Sequence, residues 1–348
     1  MSDETIQRKV EHLEVALSDE VESNKISFWQ DVELIHTCLP EIDIDEIDLS
    51  VSFLGWKLKY PFILSALTGG CKRAEKINRV LAEVAKHFSV GMQLGSGRVL
   101  FENEAYLHTY RIARDIAPEI PLFANIGVPQ INKQNFEKIK RMVESIGADG
   151  LVVHLNFLQE ALMIEGEPFA KDRLSAIENL VKFLSVPVIV KETGCGISRE
   201  IAMKLKDLGV SALDVAGKGG TSMALIELKR AKLRNNLRHE RLCRIFSDWG
   251  IPTPISIIEA KTSGLPIIGS GGIRTGLDAA KAIALGADLV GMARPLLLWA
   301  QVGTDKVIDG LEIFFNELKI AMFLTGSRNL SDLRKKRVLI KGQVREWI

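Results

Sequence analysis

Eight short apolar runs of strand length recur along this chain. Each is followed by a turn containing Gly, Ser, Thr or Asn, and then by a stretch of helical period. They are PFILSAL (61–67), SVGMQLG (89–95), LFANIGV (122–128), GLVVHLN (150–156), PVIVKET (187–193), ALDVAGK (212–218), PIIGSGG (266–272) and LVGMARP (289–295). Their mostly continuous hydrophobicity is the pattern of parallel strands covered on both faces. Between them lie NRVLAEVAKHF, NFEKIKRMVESIG, SAIENLVKFL, REIAMKLKDLG and GLDAAKAIALG. Several end in the Gly that helices favour just past the last turn. Eight βα units in succession predict a closed (β/α)8 barrel, a TIM barrel of the α/β class. An open doubly wound sheet competes, but it carries a glycine fingerprint after its first strand. Here that strand ends SALTGG, and no G-x-G-x-x-G occurs in the chain.

The units divide residues 1–348, read as a single domain, into an N-terminal extension (1–60), barrel strands and helices (61–302) and C-terminal helices (303–348). The extension holds a candidate hairpin, IDLSVSFLGWKLKYPFI, turning at Leu54–Gly55–Trp56. A long loop after strand six, residues 219–250, carries RAKLRNNLRHERLCRIFSDWG. Such an insertion lies on the face where barrel enzymes hold their active sites, so it is either a lid or an oligomer contact. VIDGLEIFFNELKIAMFLTGS reads as a long helix with an apolar face. The most apolar stretch, 282–302, is broken by Asp288, Arg294 and Pro295 and reads as a buried strand feeding a helix rather than a membrane span.

Composition narrows the class of function. A formal charge of +1 lacks the basic footprint of a nucleic-acid binder. Cys38, Cys71, Cys195 and Cys243 form no C-x-x-C pair, which argues against a zinc site or a disulfide framework and for a reducing compartment. MSDETIQRKVEHLE has no apolar core of a secretory signal. The expectation is a soluble cytoplasmic protein with no nucleic-acid or membrane partner.

Chemistry is expected where strands end. GSGGIRTG places glycines and Arg274 after strand seven, and GMARPLL places Arg294 after strand eight. In barrels this is the usual phosphate site, although ordinary tight turns are also Gly-rich. Lys191 ends strand five, as a Schiff-base nucleophile, as a cation beside a ligand that gains negative charge, or as a lysine reaching solvent. Strand four ends in His154, Leu155 and Asn156, with Gln159 and Glu160 following. Alternation aims His154 and Asn156 to the same side. Strand two ends in Gln93-Leu-Gly-Ser96-Gly97-Arg98. Arg8 and Lys9, with His12 a turn later, make a second basic cluster, functional only if a second anion binds.

As a set these motifs identify a family. The chain resembles the type 2 isopentenyl-diphosphate Δ-isomerases, FMN-dependent barrel enzymes, over essentially its full length. The resemblance is carried by RKVEHLE, SALTGG, GSGR, ANIGV, HLNFLQE, VKETGCGIS, DVAGKGGTS, DWGIPT, GSGGIRTG and GMAR, in that order. GGIR and GMAR are shared with FMN-dependent hydroxyacid oxidases, whereas HLNFLQE, the N-terminal Arg-Lys and DVAGKGGTS together are specific. The resemblance implies interconversion of isopentenyl and dimethylallyl diphosphate with reduced FMN, Mg²⁺ and NADPH as the reductant. It implies a homo-oligomer, tetramer or octamer. FMN contacts carried over are Ser65, Ala66, Leu67, Thr68, Ser96, Asn125, Lys191, Thr221, Gly272, Ile273, Arg274, Ala293 and Arg294. Ala216 belongs with them, standing where the family often has serine. Substrate contacts are Arg8, Lys9, Ser96, Gly97, Arg98 and Gln159, with Glu160 holding Mg²⁺. The catalytic set is Gln159, His154, Asn156 and Lys191. Met223 replaces a common Trp, and Phe157 a common Pro or Val.

The chemistry is consistent with that reading. Moving a double bond adds a proton at one carbon and removes one from another, with no net redox. Alkenes are weak bases, so a strong acid must be held in a dry cavity, and no side-chain pair here suits that role. The reduced isoalloxazine is the expected acid and base, with Lys191 stabilising negative charge near N1. Two alternatives are an FMN-dependent hydroxyacid oxidase or dehydrogenase and a non-catalytic flavin-binding barrel. The first usually needs a histidine base near strand seven, and none of His12, His36, His87, His108, His154 and His239 lies there. The second would not require an acidic residue and a basic N-terminal cluster beside the flavin site.

Overall fold

The computed structural model describes residues 2–18, 21–22 and 28–348, with the backbone alone for residues 2–6 and Arg8. The eight expected strands form a closed parallel barrel. They are β1 (Phe62–Leu64), β2 (Gly91–Gln93), β3 (Leu122–Gly127), β4 (Gly150–Leu155), β5 (Val188–Glu192), β6 (Ala212–Asp214), β7 (Ile267–Ser270) and β8 (Leu289–Met292). Each pairs with the next, and β8 closes on β1 through Val290↔Phe62, Gly291↔Ile63 and Met292↔Leu64. Nearly every strand residue is buried, because helices cover the outside while side chains fill the inside.

The barrel's N-terminal end is plugged. Val51–Phe53 and Trp56–Leu58 pair as the expected hairpin, turning at Leu54 and Gly55, both in the left-handed region (φ 47° and 91°). Such a turn matches the twist of the two strands. Phe53 and Leu58 pack with Ile63, Phe123, Val152, Ile189, Ala212, Ile268 and Leu289, and Trp56 meets Phe123 edge-on at 6.1 Å. The bottom of the barrel is therefore a dry core.

The helix Thr304–Leu324 packs Phe314 and Phe315 against Phe62, and Tyr60 stacks on Phe315 at 3.9 Å. The expectation of helices alone over 303–348 is corrected. Val338–Ile340 is a strand, paired antiparallel with Val32–Leu34 of the extension. That pairing joins segments some three hundred residues apart, which local pattern cannot register. No described helix is long and apolar enough to cross a membrane.

Two elements cover the C-terminal mouth. One is the helix Ser2–Ala16. The other is the loop after β6, which folds into the helices Met223–Leu233 and Leu237–Ile245 before the barrel helix Thr253–Lys261. Lys9, His12, Leu13 and Ala16 from the first, and Met223 and Ile226 from the second, face a cavity that the strand ends floor.

Candidate active site

Two residues beyond the apolar plug, the inward positions of the strands turn polar. Ile63 is followed by Ser65, Phe123 by Asn125, Val152 by His154, Ile189 by Lys191, Ala212 by Asp214 and Ile268 by Ser270. Side chains two apart on a strand share a face, so these groups form a second layer inside the barrel. Their hydrogen bonds bear this out. Lys191 Nζ donates to Asp214 Oδ2 at 2.9 Å and to Ser270 Oγ at 3.3 Å, and Gln93 Nε2 donates to Asp214 Oδ2 at 3.1 Å. His154 Nδ1 lies 2.7 Å from Asn125 Oδ1, which places the proton on Nδ1 and leaves Nε2 an acceptor. Burial, with the Lys191 and Lys9 cations nearby, pushes the imidazole pKa down to about 4. His154 is neutral at pH 7.

Above this layer two adjoining cavities share Ala66, Lys191, Thr193, Thr221, Met223, Ala293 and Arg294. The larger, about 310 Å³, is also lined by Lys9, Leu67, Thr68, Ser96, Arg98, Asn125, His154, Asn156, Gln159 and Glu160. The smaller, about 150 Å³, is also lined by Ser65, Ala216, Gly272, Ile273 and Arg274. Nearly every expected site residue thus reaches one continuous space. Gly97 lines neither cavity; its N–H donates to the Asn125 carbonyl at 2.8 Å. The side chain of Arg8 lies outside the described residues.

The glycines at the β7–β8 end serve close backbone approach. A Cβ on Gly271 would meet the Gly217 carbonyl oxygen at 2.3 Å, and one on Gly220 would meet the Gly272 nitrogen at 2.6 Å. The loops after β6 and β7 therefore pack backbone to backbone, which explains DVAGKGG and GSGG together. Arg274 Nη2 and Arg294 Nη1 both lie 2.7 Å from Glu22 Oε1, so a carboxylate already bridges the two arginines. Burial works against the charge on Glu22, but the two guanidiniums outweigh it and hold the carboxyl below its usual range.

The N-terminal helix is anchored by charge. Lys9 Nζ donates to the Gly69 carbonyl at 2.8 Å, the Ser96 carbonyl at 2.5 Å and the Tyr110 hydroxyl at 2.9 Å. Arg98 donates through both terminal nitrogens to Glu167, at 3.3 and 3.2 Å. The two cations expected to meet a substrate are therefore held by the protein's own acceptors. His12 Nε2 lies 3.0 Å from Glu227 Oε1, which also accepts from Gln159 Nε2 at 2.9 Å. Arg230 joins Glu227 to Glu11 and Glu165. Burial would raise the Glu227 pKa, but His12 and Arg230 overcome it and lower it.

Sequence reasoning did not single out Asp214, Ser270, Tyr110, Glu167, Glu227 or Glu22 as site residues. The first two carry a readable signal, since each lies two residues past an inward apolar position. The others come from helices and loops whose approach to the mouth is decided by packing.

A flavin fits these residues. Ser65 Oγ and Asn156 Oδ1 are buried with no hydrogen-bond partner among the described residues, and both residues line the cavities. The arginine pair already holds an anionic group, and Lys191 faces the space between. Mg²⁺ fits more narrowly. Among the described residues no three His, Cys, Asp or Glu side chains cluster as a metal site. Glu160 accepts from Asn156 Nδ2 at 2.8 Å and from the Glu167 N–H at 2.7 Å. One carboxylate suits Mg²⁺ only where phosphate oxygens and water complete the octahedron.

Residues 156–340 match the FMN-dependent dehydrogenase family. A relative from Archaeoglobus fulgidus, named isopentenyl-diphosphate delta-isomerase, is 42% identical over 344 residues, 99% of this chain and 98% of its own. A relative of the same name from Halobacterium salinarum is 44% identical over 349 residues, 100% and 97% of the two chains. Among solved structures, a flavocytochrome b2 variant superposes with a TM-score of 0.67 at 19% identity, covering 94% of this chain and 82% of that one. A mandelate oxidase variant carrying a monooxide FMN adduct gives 0.61 at 18% identity, covering 94% and 92%. At such identity the structures speak to the barrel fold alone.

Proposed function

The chain belongs to the isopentenyl-diphosphate delta-isomerase family of FMN-dependent barrels, and from that membership we propose that it interconverts isopentenyl and dimethylallyl diphosphate at the mouth of its barrel. The observation that carries this reading is one continuous cavity. It has paired arginines at the β7–β8 end and a polar floor around Lys191. A second pair of cations, Lys9 and Arg98, lines the larger cavity without reaching the smaller one. Two anion sites suit a phosphate-bearing cofactor and a phosphate-bearing substrate held side by side.

Bound and reduced, FMN supplies the proton donor and acceptor for a 1,3-allylic shift without net oxidation. Arg274, Arg294 and the Gly272–Ile273 turn take its phosphate, with Ser65, Ala66, Leu67, Thr68, Asn125, Ala216, Thr221 and Ala293 along its length. Lys191 places positive charge beside the ring. Arg98, Lys9 and Arg8, with Ser96, take the diphosphate, which displaces part of the Arg98–Glu167 and Lys9–carbonyl bonding. Gln159, held by Glu227, faces the alkene. Neutral His154 and Asn156 line the cavity beside it. Glu160 would hold Mg²⁺, which would supply positive charge against the diphosphate. The two covering helices exclude water.

NADPH reduces the flavin in this reading. The surroundings are the cytoplasm, supported by cysteines that are all free. A homo-oligomer, tetramer or octamer, is supported by the outer face of the loop after β6, where Leu233, Leu237, Ile245 and Trp249 are exposed. The same loop then serves both as cover and as contact.

The decisive experiment incubates the FMN-loaded, chemically reduced protein with isopentenyl diphosphate and Mg²⁺. Dimethylallyl diphosphate formed without stoichiometric flavin oxidation supports the isomerase. Turnover of a hydroxyacid with flavin reduction, and none of the isoprenoid, supports the oxidase reading instead.

A further inference from the structure

Asp214 ends β6 and is fully buried, yet no role assigned so far uses its charge. Its Oδ2 accepts from Lys191 Nζ at 2.9 Å and from Gln93 Nε2 at 3.1 Å, and its Oδ1 accepts from Ser270 Oγ at 2.5 Å. Gln93 is fixed in turn, its Oε1 accepting the Ala66 N–H at 3.4 Å. Lys191 and Asp214 are register partners on β5 and β6. Lys191 lines both cavities and Asp214 lines neither. The carboxylate therefore touches nothing that binds in the cavity, and Lys191 is the group that carries its contact there.

We propose that Asp214 is a positioning residue that grades the positive charge Lys191 presents to bound flavin, and through it the flavin's reduction potential. This rests on the FMN reading above. An ammonium beside the ring stabilises the reduced, anionic state more than the neutral oxidised one. A carboxylate 2.9 Å from that ammonium cancels part of the field, and burial leaves little solvent to screen either charge. The same contacts fix geometry. One Nζ proton goes to Asp214 and one to Ser270, which leaves the third for the cavity. The balance suits a reaction with no net redox. An unopposed cation would hold the reduced ring's negative charge too firmly and make it a weak base, whereas a graded one keeps it reduced and still able to take a proton.

The test is the midpoint potential of FMN bound to wild type, Asp214→Asn, Lys191→Met and the double variant, by dye equilibration without substrate. Asp214→Asn keeps the shape and removes the charge. It should raise the potential by about 30 mV or more, which for a two-electron couple is a tenfold gain in preference for the reduced state. Lys191→Met should lower the potential, and Asp214→Asn should raise it less in that background than in wild type. An unchanged or lowered potential in Asp214→Asn, or an equal rise without Lys191, overturns the proposal. Should Asp214→Asn not fold, Gln93→Met decides. Removing that donor strengthens the hold of Asp214 on Lys191 and should lower the potential, and no fall rejects the assignment. Failure of wild type to bind FMN would strike the functional reading itself. FMN binding with a response to Lys191→Met, but none to Asp214→Asn, would strike this inference alone.

Discussion

His12 and Glu227 meet at 3.0 Å, and through them the N-terminal helix is tied to the helix that follows β6. Because Glu227 also accepts from Gln159, the tie that closes the mouth also holds the residue proposed to face the substrate. His12→Ala should therefore raise KM for isopentenyl diphosphate about tenfold, some 1.4 kcal/mol, while the Kd for FMN stays put. Steady-state kinetics on the flavin-loaded variant check this. An unchanged KM would mean that the Glu11–Arg230 pair and the Lys9 contacts hold the helix without His12.

On the proposed assignment, Glu22 would compete with the flavin phosphate for Arg274 and Arg294. Glu22→Gln should tighten FMN binding severalfold, and Arg274→Ala should weaken it by at least an order of magnitude with little loss of thermal stability. Fluorescence titration of the apoprotein measures both. Equal affinity in all three proteins would remove the phosphate from the β7–β8 end.

Glu160 is expected to act through a metal ion. Glu160→Gln keeps the shape but loses the hard anionic ligand, so turnover should fall about tenfold or more while the FMN spectrum is unchanged. A Mg²⁺ titration of the rate is the measurement, and wild-type turnover at low Mg²⁺ would leave Glu160 a structural partner of Asn156.

Arg98 is already paired with Glu167, at an ion pair partly open to solvent. Releasing it should help an anionic substrate, so Glu167→Gln lowers the KM for isopentenyl diphosphate by a few-fold at low salt and less at high salt. A KM that rises at every ionic strength would show that Glu167 orders the loop instead of competing for the arginine.

Glu192 is buried at the end of β5, where its Oε2 accepts the N–H groups of Thr193, Gly194 and Cys195. Burial pushes its pKa up to about 7 despite those donors. A carboxyl raised on folding favours the fold below its unfolded pKa, and that advantage is lost as pH climbs through about 7. The full loss is about 3 kcal/mol. Glu192→Gln should accordingly gain in Tm over wild type between pH 5 and pH 8. A difference that does not change with pH would place the carboxylate in a well-compensated nest.

Local pattern reached far into this protein. Continuous apolar runs such as LVVHL and VIVK leave no solvent-facing side, so their strands must be buried on both faces, and eight of them with intervening helices close a barrel. The Leu54–Gly55 turn was legible because two short runs meet at Gly55, which takes positive φ freely, although Leu54 takes it too. GSGGIRTG and GMAR were legible as one end of the barrel mouth because strand order places loops seven and eight side by side. Their glycines have a second reason that spacing does not carry, the close approach of the loops after β6 and β7.

What the sequence by itself determined is the barrel, its polarity and the chemistry of its strand ends, because these follow from side-chain period and from the few ways a run of βα units can pack. What only the tertiary structure decided is which distant groups meet there. Glu22 between two arginines, Glu167 on Arg98, Asp214 under Lys191 and Tyr110 beneath Lys9 all join residues far apart in the chain. A buried charge takes whichever counter-charge the packed helices and loops bring within about 3 Å, and that choice is a property of the assembled barrel rather than of any segment.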